Sequence, residues 1–313
     1  MEKLRTAVIG AGHMGRYHAG KFARCEEAEL TVVVDSNRAR AEELAQDLGC
    51  AAVTDYRQVI GSIDAAVIAT PTAQHHEMAA ACLKAGVHVL VEKPVARTVA
   101  EAEDLIALAK LRDLVLQVGH VERYNGAYRA LAVRMVKPLF IDAERLSGFK
   151  QRGTDVDVVL DLMIHDIDLA LGLARSEVIT LSASGFRVLT SEIDIANARI
   201  EFANGCVANL SASRVSQTPV RKLRVFQPDL YVSADLQAGR LRYVSQSDGA
   251  IRESDEVHDA GDALAVQARE FIAAARSLAA VEVTGEDGRD ALALALKVGQ
   301  LVKERLHKHA GME

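Results

Sequence analysis

The chain has 313 residues, of which 50% are hydrophobic, and a formal net charge of −6. That length suits one large domain or two ordinary ones, with enough apolar residues for a full core. The negative charge, the aromatic content of 4% and the absence of tryptophan argue against nucleic acid and an anionic membrane surface as partners.

The cysteines and the N-terminus indicate a cellular location. Cysteines stand at positions 25, 50, 82 and 206, without metal-ligand spacing or a disulfide framework. That usage is typical of a reducing compartment, so we expect a cytoplasmic protein. The first apolar run reads as a strand of the fold rather than as a signal peptide, and no stretch is long and apolar enough to span a bilayer.

A strand, a glycine turn and a helix start open the chain. In the segment TAVIGAGHMG, Gly10, Gly12 and Gly15 form the Gly-x-Gly-x-x-Gly fingerprint of a dinucleotide site. Gly10 permits the tight turn, Gly12 lets the backbone approach a pyrophosphate, and Gly15 lets the helix lie close to the strand. The helix N-terminus, at His13 and Met14, offers free N–H groups to the phosphates.

The second apolar strand, residues 30–34, ends in Asp35, twenty residues after Gly15. An acid there accepts hydrogen bonds from a ribose diol and repels a 2′-phosphate. Ser36 and Arg38 would favour that phosphate, through a hydroxyl and a guanidinium. We therefore predict NAD as the cofactor, with NADP as the less favoured alternative. The other interpretation, a tight turn without a ligand, disagrees with the combination of strand, glycines and acid.

Short apolar strands alternate with amphipathic helices up to about residue 120. This rhythm predicts an α/β fold with a doubly wound parallel sheet of the Rossmann type, as a first domain over residues 1–120. The C-terminal ends of the strands then share one edge of the sheet, where ligands bind. The predicted strands are 5–10, 30–35, 65–69, 88–92 and 115–119, and the predicted helices are 14–25, 38–48, 74–85 and 99–111.

Two strand ends at this edge carry candidate site residues. After the third strand, Pro71 disfavours helix at Thr70, so the chain turns there, and His75 opens the next helix. We predict that these residues form a wall of the cofactor pocket. The alternative is an ordinary loop with surface histidines.

Glu92-Lys93-Pro94 follows the fourth strand. Lys93 at a strand end could hydrogen-bond a substrate hydroxyl and stabilise a developing alkoxide. Pro94 would stiffen the turn, and Glu92 could hold the ammonium by charge. We also predict that Glu92 and Lys93 contact the cofactor. An exposed ion pair is the alternative, and these three residues alone leave it open.

The pattern changes after residue 120. We predict a second domain, residues 121–313, for substrate binding and oligomerisation, with a large, mostly antiparallel sheet. Asn204-Gly205 predicts a hairpin turn, and the C-terminal helix is expected to pack back on the first domain. The predicted strands are 139–149, 178–189, 194–203, 206–215, 223–226, 230–235 and 240–245, and the predicted helices are 126–136, 157–173, 263–280 and 287–307.

The segment DLMIHDID supplies a second candidate cluster. Its apolar residues are spaced for one helix face, and Asp161, His165 and Asp168 form a neighbouring polar stripe. A carboxylate one turn from an imidazole orients it, which makes His165 a candidate general acid or base. A solvated stripe and a metal pair are the alternatives. We predict no metal, because no second histidine or cysteine has ligand spacing.

Further polar residues surround the predicted domain junction. Arg123, Tyr124 and Asn125 could line a substrate cleft or pack the domains together. Positive side chains that could receive a phosphate, or be ordinary surface charges, are Arg145, Lys150 and Arg152.

Five segments together resemble the Gfo/Idh/MocA family of oxidoreductases, and the resemblance covers nearly the whole chain. They are VIGAGHMGRYH, ATPTAQHHEMAAACLKAGVHVLVEKPVA, QVGHVERYN, DLMIHDIDL and VTGEDGRDAL. The resemblance implies a Rossmann domain and an α/β domain whose open sheet forms dimers or tetramers through its outer face. It also implies hydride exchange between NAD(P) and a sugar or cyclitol hydroxyl.

The resemblance assigns roles to three residues. Lys93 takes the catalytic lysine position, and Asp161 and His165 take the positions of the family's Asp-x-x-x-His segment. His165 would remove the hydroxyl proton, Lys93 would stabilise the alkoxide, and Asp161 would orient the site. Met163 stands where many members carry glycine.

A finer resemblance concerns the substrate. The stretch RGTDVDVVLDLMIHDIDL, with GHVERYN before it, is similar to the branch that oxidises the 3-hydroxyl of UDP-N-acetylglucosamine. We therefore predict an NAD-dependent dehydrogenase of that nucleotide sugar. The alternatives are a dehydrogenase of a free hexose or inositol and, from another class, a nucleotide-sensing or scaffold protein without turnover.

Overall fold

The computed structural model describes residues 2–150, 156–258 and 261–310. The strands are β1 (Leu4–Ile9), β2 (Ala28–Val34), β3 (Ala51–Val53), β4 (Ala65–Ile68), β5 (His88–Val91), β6 (Leu116–Val118), β7 (Phe140–Leu146), β8 (Val178–Phe186), β9 (Ile195–Phe202), β10 (Val207–Ser213), β11 (Val220–Gln227), β12 (Leu230–Asp235), β13 (Arg240–Ser247) and β14 (Ala250–Val257). The α-helices are α1 (His13–Phe22), α2 (Arg38–Leu48), α3 (His75–Lys84), α4 (Val99–Arg112), α5 (Gly126–Arg134), α6 (Ile164–Ala174), α7 (Ala263–Ala275) and α8 (Gly285–Ala310).

The chain divides into two compact units. The first comprises Met1–Val121 and Asp262–Asp290, and the second comprises Glu122–Gly261 and Ala291–Glu313. The sequence predicted a boundary at residue 120 and a second domain that runs on to the C-terminus. The structure instead groups α7 and the first turns of α8 with the first unit.

The first unit contains a six-stranded parallel sheet in the order β3-β2-β1-β4-β5-β6. This is the Rossmann strand order, so the predicted fold class is confirmed. Strands β1, β4 and β5 are almost wholly buried, as expected of parallel strands covered on both faces. The order reverses between β1 and β4, which places a ligand-binding crevice at their C-terminal ends.

The second unit contains an eight-stranded sheet in the order β14-β13-β12-β11-β7-β10-β9-β8. Neighbouring strands within this sheet pair in antiparallel fashion, except β7 and β10, which pair in parallel. Along β7, half-buried and buried residues alternate, so one face of the sheet is covered. The apolar side chains of that face form one core with residues of α5, α6 and α8.

Two strands were absent from the sequence prediction. Strand β3 has only three residues and pairs at the edge of the first sheet with β2. Strand β14 is charged and almost fully exposed, and it pairs through its backbone with β13. Strand β3 is apolar but too short to show a pattern, and β14 lacks the alternation of apolar residues by which a strand is recognised. The predicted hairpin between β9 and β10 is present, with Gly205 at φ 86°.

Within the described ranges, none of the helices combines the length and the apolar character that crossing a lipid bilayer requires.

Candidate functional site

The glycine loop of the first unit is shaped by steric demands. A Cβ on Gly15 would lie 1.7 Å from the Gly10 carbonyl oxygen, and a Cβ on Gly10, which has φ 102°, would lie 2.6 Å from the Ala69 carbonyl oxygen. Both positions therefore need glycine for close packing. A Cβ on Gly12 would have no heavy atom of the described residues within 4 Å. Gly12 thus leaves an open approach to the backbone, as the fingerprint predicts for a ligand.

Helix α1 starts at this open face. Its N-cap is Gly12, and no side chain of the described residues caps it. The first N–H groups of any α-helix lie beyond the reach of its own carbonyl groups, and in α1 they belong to the residues next to the loop, starting at His13 and Met14. The positive end of the helix dipole adds to the attraction for an anion, so the residues present fit a dinucleotide pyrophosphate.

Asp35 stands beside the loop at the end of β2. One carboxylate oxygen accepts from the Ala11 N–H at 2.8 Å, and the other accepts from the Asn37 N–H at 2.8 Å. A carboxylate has further lone pairs, so these bonds leave room for a ribose diol. Ser36 is exposed, and the exposed Arg38 lies 3.5 Å from Glu42. Asp35 therefore also holds the glycine loop, which the sequence did not predict.

The loop after β4 carries Thr70 and Pro71, which are half-buried and exposed, respectively. His75, predicted to line the pocket, is instead only 1% exposed. Its Nδ1 lies 2.9 Å from the Pro94 carbonyl oxygen, and its Nε2 lies 2.9 Å from the Thr70 carbonyl oxygen. The ring therefore joins two loops from within the unit and offers no free edge to a ligand.

Lys93 follows β5 at the C-terminal edge of the sheet and is half-buried. The Glu92 carboxylate before it is buried and lies 2.7 Å from the Nε2 of His18. Burial works against the charged carboxylate. The His18 hydrogen bond and the nearby Lys93 charge outweigh burial and hold the pKa of Glu92 below its usual range. Glu92 is thus an internal anchor, although we had predicted it as a cofactor contact.

His18 is a residue that the sequence interpretation missed. It is fully buried, and it lies on the inner face of α1 with Gly15, Ala19 and Phe22. That spacing of three and four residues marks an inward-facing helix position. A histidine in such a position needs a polar partner, and this signal could have singled it out.

The second unit carries Asp161 and His165. Asp161 lies in a π-helical segment, Val159–Met163, which continues into α6. Such segments occur often at functional sites. Asp161 and His165 are half-buried, whereas Asp166 and Asp168 are buried. The predicted polar stripe is therefore corrected: Asp168 turns inward, and Asp161 and His165 keep partial exposure about one turn apart.

The predicted substrate residues Arg123, Tyr124 and Asn125 have internal roles in the second unit. Arg123 makes two hydrogen bonds to the Asp168 carboxylate, at 2.7 and 2.9 Å. Tyr124 is buried, with the Arg129 guanidinium 5.1 Å from its ring centroid. Asn125 is the N-cap of α5 and donates to the Leu236 carbonyl oxygen at 2.9 Å. These contacts use the groups that we had assigned to substrate.

Arg145 is also committed internally. Its guanidinium contacts Asp166 at 2.8 Å and Glu122 at 2.7 Å, and it is 4% exposed. The two carboxylates raise the pKa of Arg145 despite its burial. Of the other two side chains that could receive a phosphate, Lys150 is exposed and Arg152 lies outside the described residues. A phosphate role for Arg145 would require breaking a buried ion pair, so the structure does not support that role.

In the part of the chain that the structure describes, no group of three or more histidine, cysteine, aspartate or glutamate side chains is arranged to hold a metal ion.

The open glycine loop, the helix that starts after Gly12 and the acid after β2 are typical of the dinucleotide-binding Rossmann proteins. Residues 4–120 match the family described as "Oxidoreductase family, NAD-binding Rossmann fold", and residues 125–227 match "GFO/IDH/MocA C-terminal domain". The chain therefore belongs to the GFO/IDH/MocA family of oxidoreductases, as its motifs indicated.

Individual relatives are dehydrogenases. The chain is 39% identical to UDP-N-acetylglucosamine 3-dehydrogenase of Acidithiobacillus ferrooxidans, over 98% of this chain and 100% of that protein. A solved structure of that enzyme superposes with a TM-score of 0.92, covering 97% of this chain and 99% of the other. The chain is also 30% identical to scyllo-inositol 2-dehydrogenase (NAD(+)) of Bacillus subtilis, over 68% of each protein.

Proposed function

We propose that this protein is an NAD-dependent dehydrogenase that oxidises the 3-hydroxyl of UDP-N-acetylglucosamine. The observation that carries the proposal is the similarity to the Acidithiobacillus ferrooxidans enzyme, which extends over both units at 39% identity. The inositol dehydrogenase is less similar and matches over a smaller share of the chain. The arginines no longer add support, because Arg123 and Arg145 are held in ion pairs.

The proposed chemistry assigns one task to each of three residues. NAD would be held at the glycine loop and Asp35, and it would supply the acceptor for the hydride on the carbon that carries the hydroxyl. His165 accepts the hydroxyl proton, and Asp161, about one helical turn away, orients the imidazole. The Lys93 ammonium stabilises the negative charge that develops on the oxygen. The alcohol thereby becomes a ketone, having lost one hydride and one proton.

A panel of substrates tests the proposal. We expect turnover of UDP-N-acetylglucosamine with NAD and much poorer turnover of N-acetylglucosamine, glucose and myo-inositol. The reason is that binding energy from the nucleotide part, which free sugars lack, positions the sugar hydroxyl. The assay follows the absorbance of the reduced nicotinamide, and mass spectrometry and NMR identify the keto product.

The panel separates the alternatives. Better turnover of inositol or a free hexose would replace the nucleotide sugar with the second candidate substrate class. If no compound supported hydride transfer with either cofactor, a sensor or scaffold role would explain the fold better.

The cofactor preference is a separate prediction. We expect kcat/KM for NAD to exceed that for NADP on the order of tenfold or more, because a 2′-phosphate would meet the Asp35 carboxylate. Arg38 is the residue that would oppose this preference, but its ion pair with Glu42 competes for the guanidinium. Measuring kcat/KM with both cofactors decides the matter, and a preference for NADP would refute the assignment.

We further propose a homodimer or homotetramer that forms through the outer face of the eight-stranded sheet. Phe140, Phe226 and Tyr231 cluster on neighbouring strands there, with ring centroids 5.8 and 4.6 Å apart, and Phe226 is 39% exposed. Aromatic side chains are enriched in protein interfaces.

A cytoplasmic location also stays a prediction, and the four free cysteines support it.

A further inference from the structure

Segment Glu92–Pro94, which carries Lys93, is anchored on its N-terminal side by a buried pair. His18 is 0% exposed and Glu92 is 6% exposed, and their side chains meet at 2.7 Å. The other carboxylate oxygen of Glu92 accepts from the backbone N–H of Lys93 at 3.2 Å. The carboxylate therefore ties the peptide of Lys93 to helix α1.

The space around this anchor admits little rearrangement. A Cβ on Gly119 would lie 3.0 Å from both the Cα and the Cδ of Glu92. The Glu92 backbone N–H also donates to the Ile68 carbonyl oxygen at 2.9 Å. Glu92 is thus fixed through its backbone and its side chain, and it fixes the start of the segment.

The C-terminal side of the segment is held by a second buried histidine. His75 lies between the Pro94 and Thr70 carbonyl oxygens, at 2.9 Å from each. Burial opposes the charged ring, whereas the two carbonyl contacts favour it, because only the charged ring donates from both nitrogens. Burial is the larger effect, so the pKa of His75 is lowered. One imidazole therefore links the residue after Lys93 to the loop after β4.

We propose that His18 and His75 are positioning residues for Lys93, each holding one flank of the segment. The proposal rests on the function proposed for Lys93. Lysine has a long, flexible side chain, so its ammonium can be placed reproducibly only if its backbone is fixed. A displacement of about 1 Å at a reacting group can cost about 100-fold in rate. With at most 1% exposure, neither histidine is accessible to a substrate.

The test compares phenylalanine variants, which keep a ring and remove its nitrogens. We expect His18→Phe and His75→Phe to lower kcat on the order of 10- to 100-fold, because the segment loses an anchor. The Kd of NAD should change less than about threefold, since neither ring faces the open glycine loop. His76→Phe is the matched control. His76 follows His75 on α3, is partly exposed and contacts Asp104 at 2.8 Å, so kcat should stay at the wild-type value.

Milder variants separate positioning from failure to fold. His18→Gln keeps a donor near Nε2 and should recover most of the kcat that His18→Phe loses. His75→Asn keeps a donor toward Pro94 and gives up the contact with Thr70, so its kcat should fall between those of the wild type and His75→Phe. Turnover is expressed per NAD-binding site, so that unfolded protein does not count as slow enzyme.

A second readout does not require turnover. Lysines dimethylated with ¹³C give NMR signals, and the Lys93 signal is identified by its loss in Lys93→Met. That signal should shift in His18→Phe and His75→Phe and stay unchanged in His76→Phe. The inference is overturned if the Lys93 signal and kcat per NAD-binding site both keep their wild-type values in the two phenylalanine variants. An active Lys93→Met enzyme would instead refute the proposed role of Lys93 itself.

Discussion

Replacing Lys93 with methionine should lower kcat on the order of 100- to 1,000-fold, the cost of removing one group that stabilises a developing oxyanion. Methionine keeps similar length and apolar bulk but carries no charge. Because that charge acts mainly in the transition state, the loss should fall on kcat and leave the Kd of NAD largely unchanged. The measurement pairs steady-state kinetics on UDP-N-acetylglucosamine with NAD binding by fluorescence.

Lys84→Met is the control for the loss of a lysine charge. Lys84 is exposed in the last turn of α3, on the same unit as Lys93. We expect wild-type kcat for this variant. Near-normal kcat in Lys93→Met would contradict the catalytic role of Lys93. If kcat and NAD binding were both lost, the lysine would serve cofactor binding instead.

Local patterns were sufficient to predict the glycine loop and most strands of the first unit. The glycine loop and Asp35 belong to one short stretch of strand, turn, helix and strand, where the steric demand at Gly15 and the open face at Gly12 depend on close neighbours. Lys93 was found because it ends a continuous apolar strand. Such features need only the periodicity of the segment and the rule that parallel strands end at one edge.

The roles of the charged side chains could not be predicted in the same way. Arg123 pairs with Asp168, which is 45 residues away, and His18 pairs with Glu92, which is 74 residues away. A sequence shows that an arginine is charged, but the fold decides whether a carboxylate already holds it. The same holds for Asn125, whose amide reaches a carbonyl 111 residues along the chain.

Arg145 shows the largest difference between the role expected from the sequence and the role seen in the structure. The sequence left Arg145 open as a phosphate ligand or an ordinary surface charge, and the structure instead buries it between Asp166 and Glu122. Asp166 is the immediate neighbour of His165, so this ion pair joins strand β7 to the helix that carries the proposed base. The positive charge of Arg145 therefore helps to hold helix α6 in place.

Replacing Arg145 with methionine should lower the free energy of unfolding by about 3–5 kcal/mol, because two buried carboxylates lose a cation. Chemical denaturation measures this loss. Arg199→Met is the control, since Arg199 pairs with Glu201 at the exposed surface at 3.4 Å, and such pairs contribute about 0–1 kcal/mol.

Adding Asp166→Leu to Arg145→Met should restore part of the lost stability, because it removes one uncompensated charge and replaces it with apolar volume. A phosphate ligand would behave in the opposite way: Arg145→Met would raise the KM for the nucleotide sugar and leave unfolding unchanged. That result would mean that the guanidinium leaves Asp166 when substrate binds. A large loss of stability that the double variant partly reverses would establish Arg145 as the support of helix α6.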